Sequence, residues 1–288
     1  MNDAPPAPTP RASACAGRPR PALLRALGRA DPPATLELGG VTCQRLEIFK
    51  HDAFAATARY RAPDGREIIC KFNRAQPVPG LPARWLGKRL ARRETAILER
   101  LASVDGIPDA VTPVRVDGRV LHNATAHVYI PGHPLRKDEA VDDRFFPRLE
   151  ALLADLHAHD AAHVDLNKRE NIIIDEQGRP HLIDFQLHFA LPERGLGRLW
   201  PARLLLRLFQ RSDRYHLLKH QIRLRPDQLP EHLRSLDAIR PWWIRAWRCI
   251  ATPWRQSRRR LLVLIGVRRG DGHASSEHEP EQAMRRDA

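Results

Sequence analysis

Hydrophobic positions change period partway along the chain. From Leu36 they have strand character. Val41–Phe49 and Thr57–Arg61 read as strands, Pro63-Asp64-Gly65 as a turn, and Glu67–Phe72 as the returning arm of a hairpin. A helix is predicted over Leu86–Val104, with apolar residues at Leu86, Leu90, Ile97, Leu98 and Leu101. Val111–Val116 and Arg119–Ile130 read as two more strands joined at Asp117-Gly118, and Pro131-Gly132 ends the pattern. The second half turns helical. Arg144–His157 places Phe145, Leu149, Leu152, Leu153 and Leu156 on one face. Asn171–Asp175 and His181–Phe185 form a short hairpin, and basic amphipathic helices run from Leu191 to about Arg269. Residues 1–35 are rich in Pro and Ala and are expected to be disordered, apart from a helical turn near Pro21–Leu27; 271–288 reads as a disordered polar tail. No internal repeat is visible. The expected class is α+β in two lobes: a strand-rich lobe with one helix at 36–131, and a helical lobe with a hairpin at 132–240.

Composition changes this picture in one respect. The 288 residues carry 48 Lys+Arg against 34 Asp+Glu, a net charge of +14. Residues 1–193 hold 27 basic and 25 acidic residues, a net of +2; residues 194–270 hold 19 and 4, a net of +15. The basicity is therefore local, which excludes a uniformly basic nucleic-acid coat and points to a near-neutral module with a basic attachment. The four cysteines form no C-x-x-C pair and no zinc-like cluster, so free thiols in a reducing compartment are expected. No run reaches the length that spans a bilayer, and prolines and arginines interrupt the N-terminus where a secretory signal would need a continuous apolar stretch. The expected location is cytoplasmic, with attachment to the inner membrane face open.

The candidate chemistry lies in His163–Gln186, HVDLNKRENIIIDEQGRPHLIDFQ. If the hairpin is symmetric about Gln177-Gly178, Asn171 faces Asp184, and Ile172 and Ile174 face Ile183 and His181. An amide oxygen and a carboxylate then meet at its open end, beside Asp165. Hard oxygen ligands of this kind suit Mg2+, which takes one or two carboxylates and completes its shell with phosphate oxygens and water. A separate carboxylate can orient and deprotonate a hydroxyl nucleophile. The bland alternative is a surface hairpin with ordinary polar ends.

This segment resembles the catalytic loop and metal-binding motif of the protein-kinase-like superfamily: H-x-D-L, then Asn, then a hairpin ending in D-F-G. It is most similar to the bacterial lipopolysaccharide-kinase and RIO-like branch, in which some members carry D-F-Q. The resemblance covers roughly residues 40–225. It implies a two-lobed kinase-like fold that uses ATP and Mg2+, with Asp165 as catalytic base and Asn171 and Asp184 as metal ligands. It also implies a strand lysine paired with a helix glutamate on the ATP phosphates, here Lys71 and Glu94. Glu94 has support of its own, since it falls on the apolar stripe between Leu90 and Leu98, where a carboxylate needs a partner. The backbone of Val128–Ile130 is expected to meet the adenine edge before a hinge at Pro131-Gly132.

The chain departs from the family pattern in three places. Asp165 and Asn171 are one residue further apart than usual. Lys168 lies between them, either touching the transferred phosphate or as a solvated loop lysine. Gln186 replaces the flexible glycine after Asp184-Phe185, and no A-P-E motif follows, so a regulated activation loop is not expected. The phosphate-covering loop, Lys50–Thr57, has no glycine. Phe54 at its tip is either exposed or part of the core.

Five of the six tryptophans lie in the basic segment, at Trp200, Trp242, Trp243, Trp247 and Trp254. Arg and Trp mixed on amphipathic helices suit an anionic membrane surface, and 241–270 is the expected anchor. Ordinary lobe helices with solvated arginines, and nucleic-acid binding, compete. Three functions follow from the resemblance. The first is a kinase acting on a sugar or lipid-linked hydroxyl at the membrane face. The others are a protein serine/threonine kinase and a non-catalytic pseudokinase adaptor.

Overall fold

Alternating apolar residues build a seven-stranded antiparallel sheet in the first lobe. A computed structural model describes residues 22–77, 82–195 and 199–235. The strands are β1 (Thr35–Leu38), β2 (Val41–His51), β3 (Ala55–Arg61), β4 (Glu67–Asn73), β5 (Val114–Val116), β6 (Arg119–Val120) and β7 (Ala124–Val128). Their order across the sheet is β6-β5-β1-β2-β3-β4-β7. Leu36, Leu38, Tyr60, Ile68, Phe72 and Ala126 form the core of this lobe. The expected single strand over Arg119–Ile130 is two: residues 121–123 leave the sheet, and Asn123 exchanges hydrogen bonds with Asn73.

The folded unit starts before residue 36. Residues 22–34 pack on the sheet rather than trailing as part of a disordered segment. The Tyr60 hydroxyl donates to the Pro33 carbonyl at 2.8 Å, and Arg74 donates to the Leu23 carbonyl at 2.7 Å. Ala26 is fully buried. These backbone groups have partners far along the chain, which composition alone does not reveal.

Helix α1 (Ala83–Arg100) crosses between β4 and β7. It ends at Arg100, four residues before the expected limit; Glu94, Ile97, Leu98 and Leu101 are buried as expected, but the start of the stripe differs. Leu86 is 48% exposed, and the helix instead turns Gly87 and Ala91 inward. Small residues are needed there because a Cβ at Gly87 would stand 2.3 Å from the Arg74 carbonyl oxygen. Close approach to the end of β4 brings Glu94 to the strand that carries Lys71. Ile97, Leu98 and Leu101 belong to the core of the second lobe, so α1 ties the lobes together.

The crossover enters β8 (Gly132–Pro134), which pairs with β10 (Ile172–Asp175). Gly132 permits this contact, since a Cβ there would lie 2.1 Å from the Ile174 carbonyl oxygen. Helix α2 (Phe145–Ala158), β9 (Ala161–Ala162), β11 (Pro180–Leu182), β12 (Phe189–Ala190) and α3 (Trp200–Leu224) complete the lobe. Phe145, Leu149, Leu156, Ile172, Leu182 and Phe185 fill its core.

The β10–β11 register differs by one residue from expectation. Ile172 pairs with Leu182, Ile173 with His181 and Ile174 with Pro180. Asp175 donates its N–H to the Arg179 carbonyl, and Gly178 adopts φ +71°. The loop therefore has three residues and ends in a left-handed glycine, where a hairpin symmetric about Gln177-Gly178 was expected. Asp184 consequently lies beyond the paired strand and is not opposite Asn171. The architecture is the expected α+β arrangement of a strand-rich lobe and a helical lobe. The predicted 241–270 anchor and the late tryptophans lie outside the described residues.

Candidate active site

Lys71 lies in the middle of β4, opposite Thr57 on β3 and Thr125 on β7. Its Nζ donates to Glu94 Oε1 at 3.1 Å and to Asp184 Oδ1 at 2.5 Å. Burial alone would push the Lys71 ammonium down, but Glu94 and Asp184 outweigh it and hold it above its usual value. Burial likewise works to raise Asp184, yet Lys71 prevails and keeps it well below the carboxylate range. Glu94 is 3% exposed; burial lifts it, and Lys71 only partly opposes this. Its second oxygen has no hydrogen-bond partner among the described residues. A buried carboxylate half satisfied by a lysine is a polarised site, not inert packing.

Three hydrogen bonds fix α1 against the second lobe. Arg93 donates to the His188 carbonyl at 2.8 Å, and Arg100 donates to the Leu191 carbonyl at 2.6 Å and to the His159 carbonyl. Thr95 donates to Thr125 Oγ1 on β7 at 2.9 Å. The glutamate-bearing helix is thus held at both lobes.

Asp165 follows Val164, which adopts φ +71°, an unusual conformation for a β-branched residue. A buried aspartate on α3 maintains it. Asp213, fully buried, accepts from the backbone N–H of His163 at 2.8 Å and of Val164 at 2.9 Å, with His157 Nε2 at 3.3 Å. His163 in turn donates from Nε2 to the Ile183 carbonyl at 2.9 Å and packs its ring, tilted by 57°, against Phe185 at 4.8 Å between centroids. One carboxylate therefore organises both the loop before Asp165 and the segment around Asp184. His220, on the next turns of α3, donates to the Leu166 carbonyl at 2.9 Å. Sequence spacing by itself gives Asp213 and His220 no role in the site. The signal for one was the same as for Glu94: a carboxylate among the apolar positions of a helix.

Lys168 places Nζ 2.5 Å from Asp165 Oδ2, and its charge also reaches Asp184 and lowers it further. Asn171, 4% exposed, commits its amide nitrogen to the Asp165 carbonyl at 3.0 Å, which leaves its side-chain oxygen available to a cation. Asp184 adopts φ +61° and directs its carboxylate toward Lys71. Among the described residues no group of three His, Cys, Asp or Glu could cage a metal. One carboxylate and one amide oxygen fit Mg2+, which completes its shell with phosphate oxygens and water.

Two expected features take a different form. Val128 spends its N–H on the Asp109 carbonyl, and its carbonyl accepts from His127 Nδ1. Tyr129 donates to Glu67. The Ile130 backbone has no hydrogen-bond partner among the described residues, so of the expected pair Val128 and Ile130 only Ile130 keeps its backbone groups available. The turn between β2 and β3 is also closed on itself. Asp52 Oδ1 accepts from the N–H of Phe54 at 2.7 Å and of Ala55 at 2.9 Å. Those are the groups that a glycine-rich loop would offer to phosphate. Phe54 is 63% exposed at the tip.

No family model matches the chain, and no curated protein matches it. Among solved structures, two of the Rio2 kinase from Chaetomium thermophilum are similar. The complex with ADP, Mg2+ and phosphoaspartate has 15% identity and a TM-score of 0.46, over 62% of this chain and 55% of that one. The other crystal structure has 16% identity and a TM-score of 0.45, over 59% and 54%. The chain thus spans about half the length of these structures.

Proposed function

We propose that this protein is an ATP-dependent phosphotransferase. The observation that carries the reading is the Lys71 bridge. One buried ammonium on β4 meets a helix carboxylate from the same lobe and a loop carboxylate from the other. Asp165 and Asn171 stand next to that loop. In this reading Lys71, positioned by Glu94, binds the ATP phosphates, and Ile130 presents its backbone to adenine. Asn171 and Asp184 hold Mg2+, which when bound supplies charge neutralisation on the phosphate oxygens. Asp165 accepts the proton of an acceptor hydroxyl and aims it at the γ-phosphate, and Lys168 steadies the transferred group. Catalysis of this type is mainly positioning and electrostatics.

The finer reading of the acceptor is a sugar or lipid-linked hydroxyl at the cytoplasmic membrane face. It rests on the sequence resemblance and on the arginine density after residue 194. A protein serine or threonine is the competing acceptor. A non-catalytic adaptor has one observation in its favour, the occupation of the Phe54 and Ala55 N–H groups by Asp52.

The test is a thermal melt with Mg-ATP together with γ-phosphate release, on wild type and Asp184→Asn. Wild type is expected to gain stability and turn over ATP, and the variant to lose roughly 10²–10³-fold in turnover. An unshifted wild-type melt without turnover sinks the reading. A shifted melt without turnover selects the adaptor.

A further inference from the structure

Helix α3 does two jobs on opposite faces. Its inward face carries Leu206, Asp213 and His220, which pack the lobe and hold the catalytic loop. Its first four turns present a different chemistry outward. Trp200 is 75% exposed and Leu204 50%. Arg203, Arg207, Arg211 and Arg214 are all exposed. Spacings of three and four residues put these six side chains on one stripe, about 21 Å long at 1.5 Å per residue. No carboxylate interrupts it, since the only acid on the helix, Asp213, is buried on the other side. Among the described residues none of the four guanidinium groups forms an ion pair. Leu199 extends the apolar end at 55% exposure. Among the described residues no helix is long and apolar enough to cross a membrane.

We infer that this stripe docks on an anionic lipid bilayer, with α3 lying in the plane of the interface. Trp200 and Leu204 enter the headgroup–acyl boundary, and the arginines engage lipid phosphates on either side of them. The mixture selects lipid over other polyanions. Nucleic-acid bases can stack on Trp200 but gain nothing from exposed Leu199 and Leu204, whereas the acyl boundary of a bilayer covers all three. The inference moves the surface contact from 241–270 to a helix that also grips the Asp165 loop. Docking would therefore fix the orientation of the catalytic loop relative to the bilayer. It deepens the membrane-face part of the proposed function but is tested without nucleotide, so its failure and that of the phosphotransferase reading are read separately.

The experiment is co-sedimentation of the full chain with vesicles of phosphatidylcholine alone or mixed with phosphatidylglycerol, and separately binding to single-stranded RNA. Two variants are compared with wild type: Arg203→Gln/Arg207→Gln/Arg211→Gln and Trp200→Ser/Leu204→Ser. Circular dichroism melts confirm that both fold. Wild type is expected to bind the anionic vesicles and not the neutral ones. At about fivefold per arginine, the triple variant should lose roughly a hundredfold in partitioning. The apolar variant should lose vesicle binding while any RNA binding stays unchanged. Wild-type vesicle binding by the triple variant overturns the inference, as does an apolar variant indistinguishable from wild type. RNA binding that depends on these arginines without matching vesicle binding also overturns it, in favour of a nucleic-acid surface.

Discussion

Gln186 donates its side-chain N–H to Asn73 Oδ1 at 2.9 Å, joining the segment after Asp184 to the end of the strand that carries Lys71. Asn73 is fully buried, and its own amide nitrogen has no partner among the described residues. The residue that replaces glycine in the D-F-G pattern is thus a strut between the lobes, parallel to the Lys71–Asp184 bond. Gln186→Gly removes the strut, leaves the Asn73 side chain with neither hydrogen bond, and frees the backbone. A loss of about 1–3 kcal/mol is expected. Faster amide exchange over residues 184–190 should accompany it, measured by mass spectrometry. Exchange rates equal to wild type would contradict the strut.

Lys71 neutralises a buried carboxylate as well as a more exposed one. Lys71→Met should therefore cost stability, on the order of 3 kcal/mol, by stranding Glu94. Adding Glu94→Gln should restore much of that loss while ATP turnover stays abolished. Chemical denaturation and γ-phosphate release separate the two effects. A double variant no more stable than the single one would show that Glu94 does not depend on Lys71.

Gly87 reverses the ordinary helix rule. In an exposed helix Gly→Ala gains about 1 kcal/mol. Here the new Cβ would sit 2.3 Å from the Arg74 carbonyl. Overpacking of this kind costs about 1–3 kcal/mol, so Gly87→Ala should be net destabilising. It should also weaken ATP binding by drawing Glu94 away from Lys71. A higher melting temperature in Gly87→Ala would refute this packing.

Asp213 holds two backbone N–H groups with its two oxygens. Asp213→Asn puts an N–H donor against one of them and removes the charge. A loss of about 3 kcal/mol is expected, since a buried charge-assisted pair is replaced by an unsatisfied one. Release of Val164 from its left-handed conformation should follow, visible as a shifted amide resonance. Turnover is expected to fall even where the variant remains folded.

Acid should weaken the protein through neutral buried histidines. Burial holds His188 at about 4 and His220 at about 4, each against an ordinary value near 6.5. Between these values the unfolded chain binds more protons than the folded one. Their contribution is complete above about pH 6.5 and is lost as pH falls toward 4, on the order of 2–3 kcal/mol each. Asp175, held at about 2 against burial by His181 and Arg179, adds a further loss between about pH 4 and 2. His220→Gln keeps a donor for the Leu166 carbonyl and should flatten the dependence of melting temperature on pH between 6.5 and 4. An unchanged slope would exclude His220 as a contributor.

The α+β lobe order, most strand positions and the proximity of Asp165, Asn171 and Asp184 were legible in the sequence. Local periodicity and short-range spacing carry those features. Glu94 was legible for a related reason, because a carboxylate on an apolar helix face needs a partner wherever it lies. Other features depended on contacts between distant residues. Gly87 and Ala91, not Leu86 and Leu90, form the near face of α1, because the distance of closest approach is set by the Arg74 backbone. The hairpin register shifted by one because Gly178 takes a left-handed conformation inside a three-residue loop. Residues 22–34 joined the fold through partners in β3 and after β4, not through any pattern of their own. Asp213, Gln186 and Asn73 became meaningful only once the chain brought together groups separated by 50 residues or more. Periodicity specifies which face of an element is buried. Only tertiary packing decides which buried polar groups meet, and in this protein those meetings make the candidate site.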